Sequence, residues 1–308
     1  RVKGADARLD ASRFDLDDTG RQQLLSLRQT YFDLRLAQEK RRLAGELAAN
    51  YDKSLDSGRL RLKAGDISQV ELARLQIDKS RADNEARQTQ AELEQAQVAL
   101  AYLIGRERGA AQLVAADNWP PLGDNPLKRS DLEQRPDIAA ARLRVTAAEA
   151  ARDLAKAQKT RDVTLGIQYE HNMQNEPTNS YGFGVSVPLF IFHEYEGDIA
   201  RAEADLTAAR LLYERTLAQA VGGSDQAASA LRSAEERLRR LETGLLADAE
   251  RVAKAAELAY SRGAMNLMDL LDARRTLRQI QIETATAHAD HAKALAAWRL
   301  QADYGKSK

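Results

Sequence analysis

The chain has 308 residues, of which 30% are charged, 5% are aromatic and none is cysteine. Lys plus Arg equals Asp plus Glu at 46 each, so no overall positive charge would attract nucleic acid. The absence of cysteine excludes a disulfide framework and thiolate metal sites. The sequence contains no run of about 18 apolar residues, so no transmembrane helix is predicted. Abundant Ala, Leu, Glu, Arg and Gln favour long helices and coiled coils.

The first third of the chain reads as two long helices joined by a turn. A helical pattern runs over residues 7–63 and is broken by "LKAGDIS" (62–68). Gly65 suits a left-handed C-cap, and Asp66 or Ser68 can cap the next helix, which runs to about residue 104. We therefore predict a first helical segment over residues 1–105.

A linker and a third helix follow. The stretch "NWPPLGDNPL" lies in residues 106–130 and is punctuated by Pro and Gly. Ser130 with Glu133 has the spacing of a capping box and predicts a helix over residues 131–162.

The sequence period then changes from helical to alternating. Residues 163–174 and 181–192 alternate apolar side chains with small or polar ones, which predicts a β-hairpin over 163–192 with one apolar face. Each strand has about the length that crosses a bilayer within a barrel. A two-stranded hairpin is unstable alone and needs further strands at its edges.

A second pair of helices, residues 193–308, repeats the first: one helix is predicted over about 196–261, it breaks at Gly263, and the other runs to about 302. The stretch "AYSRGAMNLMDL" (259–270) superposes on "RLKAGDISQVEL" (61–72), with Gly263 on Gly65 and Asp269 on Glu71. A second turn is thus predicted near residues 261–267. Residue 1 falls where the second repeat has just left its hairpin, so we expect a first hairpin and the helix before it to be absent from the N-terminus of this chain.

The predicted shape requires assembly. Polar helical rods of this length must pack sideways against others. In lipid, only closure into a barrel satisfies the strand backbone. A symmetric oligomer that contributes a hairpin from each subunit can close a barrel that one chain cannot.

The order and spacing of these features resemble the TolC-type outer-membrane efflux factors over essentially the whole chain. The features are the duplicated helical unit, "RPDI" (135–138) opening the helix before the strands, "VPLF" (187–190) closing the hairpin, and a turn of the form Y-x-x-G-x-x-x-x-x-D-x-x-D that starts at Tyr260. The resemblance implies a mainly α protein with a small β part.

That resemblance also implies partners and a location. It implies a homotrimer in the outer membrane of a Gram-negative bacterium, whose hairpins face outer-membrane lipid in one barrel and whose helices form a periplasmic tunnel. A periplasmic adaptor and an inner-membrane transporter would complete the pump. Two strands per subunit are too few to close that barrel, so the hairpin of this chain does not by itself predict insertion into the membrane. Within this family, the first half of the chain, with "YFDLRLAQEKRRLAGEL" (31–47) and "GDISQVELARLQID" (65–78), resembles the heavy-metal efflux branch most closely. Channels for multidrug efflux and type I secretion have the same shape.

The resemblance implies that the protein is a passive exit duct for the cargo of the pump. In this family the interhelical turns lie at the periplasmic tip of the duct. The resemblance implies that Asp269 and Asp272, which share a helix face, form acidic rings at a pore gate that attract cations. The leucines at 267, 270 and 271 would pack neighbouring helices. Alternatively, both acids are solvated surface residues. The turns would contact the adaptor, with exposed Ile67 and Met265 as anchors, or be ordinary helix caps. The turn residues are Gly65, Asp66, Ile67, Ser68, Gly263, Ala264, Met265 and Asn266.

The remaining candidates are aromatic and histidine residues. An aromatic girdle at the membrane interfaces is expected from Tyr169, Tyr181, Phe183, Phe190 and Phe192, although a plain sheet core would use the same residues. His288 and His291 have a one-face helical spacing, but no third ligand is nearby, so we expect solvated helix residues and no metal site.

No set of catalytic residues can be assembled, so neither an enzyme nor a cofactor is expected. A non-membrane coiled-coil scaffold, whose hairpin merely pairs with a partner, is the alternative from a different class. A scaffold has no reason to present lipid-length strands with an apolar face.

Overall fold

A computed structural model describes residues 1–123, 132–160, 163–173, 178–187 and 195–302. Within these ranges the protein is mainly helical with one β-hairpin, as predicted. The long elements are helices α1 (Val2–Ala64), α2 (Gln69–Ile104), α3 (Pro136–Ala157), α4 (Glu196–Arg240), α5 (Leu246–Ser261) and α6 (Leu267–Ala302), and strands β1 (Thr164–Asn172) and β2 (Thr178–Ser186). No helix in the described ranges combines the length and apolar character needed to span a membrane.

Helix α3 begins later than its sequence predicts. A short 3-10 helix, Leu132–Gln134, precedes Arg135, which is the extended N-cap residue, and Pro136 occupies the first helical turn. The residue before a proline is disfavoured in helical conformation, so the helix starts at the proline. The predicted start near Ser130 is therefore wrong for α3, and Ser130 itself lies outside the described residues.

The hairpin forms in the predicted place, although β2 begins at Thr178 rather than at Tyr181. The strands are antiparallel, with Tyr169 opposite Tyr181 and Ile167 opposite Phe183. Every strand residue is exposed within the chain. The apolar face is open, with Ile167 at 82% and Phe183 at 84% exposure.

The long helix after the hairpin is interrupted once before the predicted break at Gly263. Five residues, Leu241–Leu245, form a π turn between α4 and α5. The sequence prediction of one continuous helix over about 196–261 is therefore wrong at this point. Gly244 inside the helical pattern is the one local signal, because glycine weakens the regular helix and is frequent where helices deviate.

The chain divides into two compact units, and the division into sequential segments made above stays a prediction. One unit contains Arg1–Thr19 and Asp131–Val221. Small residues let its helices approach closely, and ion pairs cross between them, including Arg144 with Asp15 at 2.5 Å and Arg210 with Glu149 at 3.0 Å.

The other unit contains Gly20–Ser130 and Gly222–Lys308 and holds the described apolar clusters. The largest cluster lies beneath the interhelical turns and joins α1, α2, α5 and α6. Its buried members are Tyr51, Leu55, Leu75, Ala82, Ala256, Leu267, Leu270 and Leu271. Burial of three leucines from the start of α6 agrees with their predicted packing role.

Candidate functional site

The two interhelical turns have the same backbone construction. Gly65 and Gly263 adopt positive φ angles of 82° and 74°, which an L side chain rarely adopts. The amide of Gly65 donates to Leu62 at 3.1 Å, and that of Gly263 donates to Tyr260 at 3.1 Å. In each turn the next amide reaches back five residues. The repeat seen in sequence is therefore a repeat of hydrogen bonds, with the left-handed glycine closing each helix.

The helices that leave the turns are capped at equivalent positions. The Ser68 amide donates to Glu71 at 2.7 Å, and the Glu71 amide donates to the Ser68 hydroxyl at 3.2 Å. In the second turn the Asp269 amide donates to Asn266 Oδ1, and Asn266 Nδ2 donates to the Asp269 carboxylate, both at 2.9 Å. Hydrogen bonds from the Ser68 amide and hydroxyl lower the pKa of Glu71.

Direct contacts join the two turns. The Arg61 guanidinium lies 4.5 Å from the centre of the Tyr260 ring. Arg74 Nη1 lies 3.0 Å from the Met268 sulfur. A cation over an aromatic face and a guanidinium on a polarisable sulfur are both attractive. The two turns therefore form one surface, which we call the turn surface (61–74 and 260–272).

The exposed apolar residues of this surface are not the predicted ones. Ile67 and Met265 are half-buried, and Met265 packs against the cluster beneath the turns. Exposed instead are Val70, at 64%, and Met268, at 44%, which occupy equivalent positions in the two repeats. The prediction was wrong because each turn folds its central side chain inward, leaving the first helical turn to face outward.

Both acids proposed for a gate are exposed. Asp269 and Asp272 lie on the first turns of α6, with the buried Leu270 and Leu271 between them. Asp269 closes the cap with Asn266. For Asp272, no hydrogen bond or ion pair to another described residue is found. Among the described residues, Asp269 therefore has a structural role in the cap, whereas Asp272 makes no such contact.

Sequence reasoning missed a series of arginines on α6 that tie it to neighbouring helices. Arg274 donates to Glu257 on α5 at 3.1 Å and to Ser54 on α1 at 2.9 Å. Further from the turn, Arg275 and Arg278 bind acids on α2, and the two contacts are Arg275 with Asp78 at 2.6 Å and Arg278 with Glu85 at 2.8 Å. Hydrogen bonding to Asp78 raises the pKa of Arg275. The signal available in sequence was the arginine spacing at 274, 275 and 278.

The histidines on α6 are not solvated, contrary to prediction. His291 is fully buried, and His288 is largely covered, with its ring stacked on Trp119 at a centroid distance of 5.7 Å. The prediction failed because the periodicity of an Ala-rich helix does not tell which face a neighbouring helix covers. Among the described residues, no group of three or more acids and histidines has the geometry of a metal site.

On the hairpin, Tyr169 and Tyr181 form a cross-strand pair with ring centres 5.2 Å apart. Phe183 shares their exposed face opposite Ile167. Phe190 and Phe192 lie outside the described residues. The described aromatics have no covering layer in the described part of the chain, which a plain sheet core would require.

Comparison with known proteins gives a family match. A family model described as "Outer membrane efflux protein" matches residues 128–300. The cobalt-zinc-cadmium resistance protein CzcC of Cupriavidus metallidurans is 27% identical over 265 residues, covering 82% of this chain and 61% of the relative. The pyoverdine export outer membrane protein OpmQ of Pseudomonas putida is 25% identical over 287 residues, covering 90% of this chain and 61% of the relative.

Solved structures share the fold. The CmeC outer membrane channel of Campylobacter jejuni superposes with a TM-score of 0.85 at 18% identity, covering 97% of this chain and 66% of that one. The outer membrane protein VceC of Vibrio cholerae gives 0.84 at 20% identity, covering 99% and 75%. The chain spans 61% of the length of both curated relatives above.

Proposed function

The chain belongs to the outer membrane efflux protein family, and we propose that it forms the exit duct of a tripartite efflux system in a Gram-negative outer membrane. Copies of the chain assemble around a threefold axis. Their hairpins contribute to a barrel in lipid, and their long helices form a tunnel in the periplasm. The protein works as a passive conduit, and an inner-membrane transporter supplies the energy.

The observation that carries this proposal is the uncovered apolar face of the hairpin. Ile167 and Phe183 are opposite each other and more than four-fifths exposed. Apolar area of this kind is unfavourable in water by about 25 cal/mol per Å². Lipid on one side and strands of neighbouring copies at the edges remove that penalty and satisfy the strand backbone. A water-soluble scaffold would leave the same face exposed.

We assign the gate of the duct to the start of α6. In a threefold assembly, Asp269 and Asp272 of each copy converge and form rings of negative charge that attract cations. Leu267, Leu270 and Leu271 hold this segment in place because they are buried in the cluster beneath the turns. Opening requires the α5–α6 pair to move away from α1 and α2. The contacts of Arg274, Arg275 and Arg278 oppose that movement.

The turn surface is the proposed contact for a periplasmic adaptor. Val70 and Met268 supply exposed apolar anchors on adjoining helices, and the glycines hold the chain in tight turns around them. Exposed apolar groups rimmed by polar residues are typical of protein interfaces. Ile67 and Met265 support this surface from below.

Metal cations are the proposed cargo. The relative CzcC is named for cobalt, zinc and cadmium resistance, and the relative CusC of Escherichia coli, 27% identical over 265 residues, is named a cation efflux protein. Deletion of the gene should lower the tolerated concentrations of zinc, cobalt and cadmium salts, and the intact gene should restore them. Unchanged tolerance to all three would overturn the cargo assignment while leaving the duct assignment open to its own test.

The test of the gate is single-channel recording of the protein as encoded by its gene. Changing Asp269→Asn together with Asp272→Asn should raise conductance and weaken block by multivalent cations, because the converging charges are gone. Asp248→Asn, which removes an exposed acid on α5, is the matched control and should leave both unchanged. Cation block that persists in the double variant would refute the acidic gate.

A further inference from the structure

Two histidines of α6 lie in an environment that favours the neutral ring. His291 is fully buried, and neither of its ring nitrogens has a hydrogen-bond partner among the described residues. The closest carboxylate is that of Glu235 on α4, where Oε1 stands 3.8 Å from His291 Nε2. That distance is too long for a hydrogen bond. Glu235 Oε1 is also buried and unpartnered within the described ranges. Orphaned buried polar atoms are rare and require an explanation.

His288, one helical turn earlier, continues the same arrangement. Its Nε2 lies 3.1 Å from Glu242 Oε1, and Glu242 belongs to the π turn between α4 and α5. Its ring stacks on Trp119 with an interplanar angle of 14°. Single π turns occur frequently at functional sites in helices. Glu235, Glu242, His288 and His291 therefore form a set that links α6 to α4 and the π turn, and we call this set the His–Glu quartet.

The carboxylates around the rings favour protonation, but they do not offset the loss of solvation. Glu39 on α1 is the other acid that interacts with His288 and holds Arg42 in an ion pair. Arg35 lies over Trp119, and Arg299 opposes a charge on His291. Each imidazolium would also repel the other. Glu250 lines the same cavity as His288.

Burial therefore lowers the pKa of both His288 and His291, and desolvation is the largest cause in each. A histidine in water keeps a pKa near 6.5. Conformations that expose these rings bind more protons than the packed one, so acid shifts the population toward exposure. Packing of the two histidines is therefore most stable at a pH above the ordinary histidine pKa of about 6.5, and it is weakened as the pH falls below that value.

We propose that the His–Glu quartet is an acid-labile latch, which holds α6 against α4 and the π turn at neutral pH and releases them when the histidines take up protons from solvent. Each released imidazolium gains water, and the separated carboxylates remain ionised and gain water as well. The released segment comprises residues 235–245 on one side and 288–291 on the other. The test of the latch does not depend on the proposed duct function, because it measures local opening of the helices and not conductance.

Hydrogen–deuterium exchange of the folded protein tests the latch. Between about pH 7.5 and about pH 5.5, and after correction for the intrinsic pH dependence of exchange, peptides covering 235–245 should exchange about three- to tenfold faster in acid. His291→Leu should keep the packing and remove most of this response, and adding His288→Gln should remove the rest. Acid-independent exchange in the wild type, or an undiminished response in the double variant, would overturn the latch.

A matched control lies in the same interface. Arg237 on α4 pairs with Asp290 on α6 at 3.1 Å. Asp290→Asn should retain the full acid response. If His291→Leu does not fold, Glu235→Gln gives the opposite test: it removes a charge that favours the imidazolium and should strengthen the response. A weaker response in Glu235→Gln would contradict the proposal.

Discussion

Arg275 and Asp78 join α6 to α2 through a charge-assisted hydrogen bond of 2.6 Å. The Asp78 side chain is only 8% exposed, whereas Arg275 is half exposed. Such a pair contributes little net stability when it is intact, because both groups lose water. Its loss is costly when one partner is removed and a buried carboxylate remains. The ion pair therefore links α2 and α6, the two helices that leave the turn surface.

Removing the arginine should expose this asymmetry. Arg275→Gln is expected to lower the free energy of unfolding by about 1–3 kcal/mol, since Asp78 is left buried with weaker partners. Chemical denaturation followed by circular dichroism measures the change. Arg81 provides the control, because it lies 3.8 Å from the same carboxylate and is largely exposed. Arg81→Gln should change stability by less than about 0.5 kcal/mol, and equal losses in both variants would contradict the assigned link.

Glycine has opposite roles at two positions of the second repeat. Gly263 has a φ of 74°, so Gly263→Ala should destabilise the turn by about 1–2 kcal/mol. Gly222 lies within α4 with open space around it, so Gly222→Ala should stabilise the helix by about 0.5–1 kcal/mol. Denaturation midpoints of the two variants should move in opposite directions. Shifts of the same sign would show that the turn does not depend on left-handed geometry.

The cluster beneath the turns should respond to cavity formation. Leu271 is 1% exposed and packs among α1, α2 and α5. Leu271→Ala is expected to lower the free energy of unfolding by about 2–5 kcal/mol. Met268→Ala, three residues away on an exposed position, should stay within about 0.5 kcal/mol. A comparable loss for Met268 would mean that the turn surface packs differently from the described arrangement.

Much of the fold could be predicted from sequence because its signals are local. Left-handed glycines at 65 and 263 and their capping residues report conformation through their own backbone requirements. The period-two alternation of 163–187 likewise depends only on which side successive residues face. At the start of α3 two local signals conflict: a capping-box pattern at Ser130 predicts an earlier start, whereas Pro136 disfavours a helical conformation at Arg135, and the helix begins at Pro136.

The parts that failed depend on contacts between distant segments. Burial of His291 requires α4 to cover one face of α6, and no local pattern states which Ala-rich face is covered. The π turn at 241–245 has Gly244 as its one local signal, and a glycine inside a helical pattern does not by itself predict a π turn. The exposed apolar residues of the turns are Val70 and Met268 rather than Ile67 and Met265. This difference depends on how tightly each turn folds over the cluster beneath it. The threefold convergence of Asp269 and Asp272 stays a prediction from the resemblance.

The turn surface gives a prediction for partner binding. Replacing Val70→Asp together with Met268→Asp should weaken binding of the cognate periplasmic adaptor at least tenfold, because charged side chains would be desolvated at the apolar anchors. Biolayer interferometry with purified adaptor measures the dissociation constant. Val252→Asp, an exposed apolar position on α5 away from the turns, is the control and should bind normally. Unimpaired binding by the double variant would place the adaptor elsewhere.

The central claim is a threefold duct closed at the start of α6, and cysteine cross-linking tests it most directly because the chain has no cysteine of its own. Asp56 is an exposed acid as many residues before Gly65 as Asp272 lies after Gly263, so it is a matched position. Under mild oxidation, Asp272→Cys should yield disulfide-linked subunits and a channel that stays closed until it is reduced, and Asp56→Cys should yield neither. Asp272→Cys that remains unlinked in the assembled protein, or links no better than Asp56→Cys, would contradict the account.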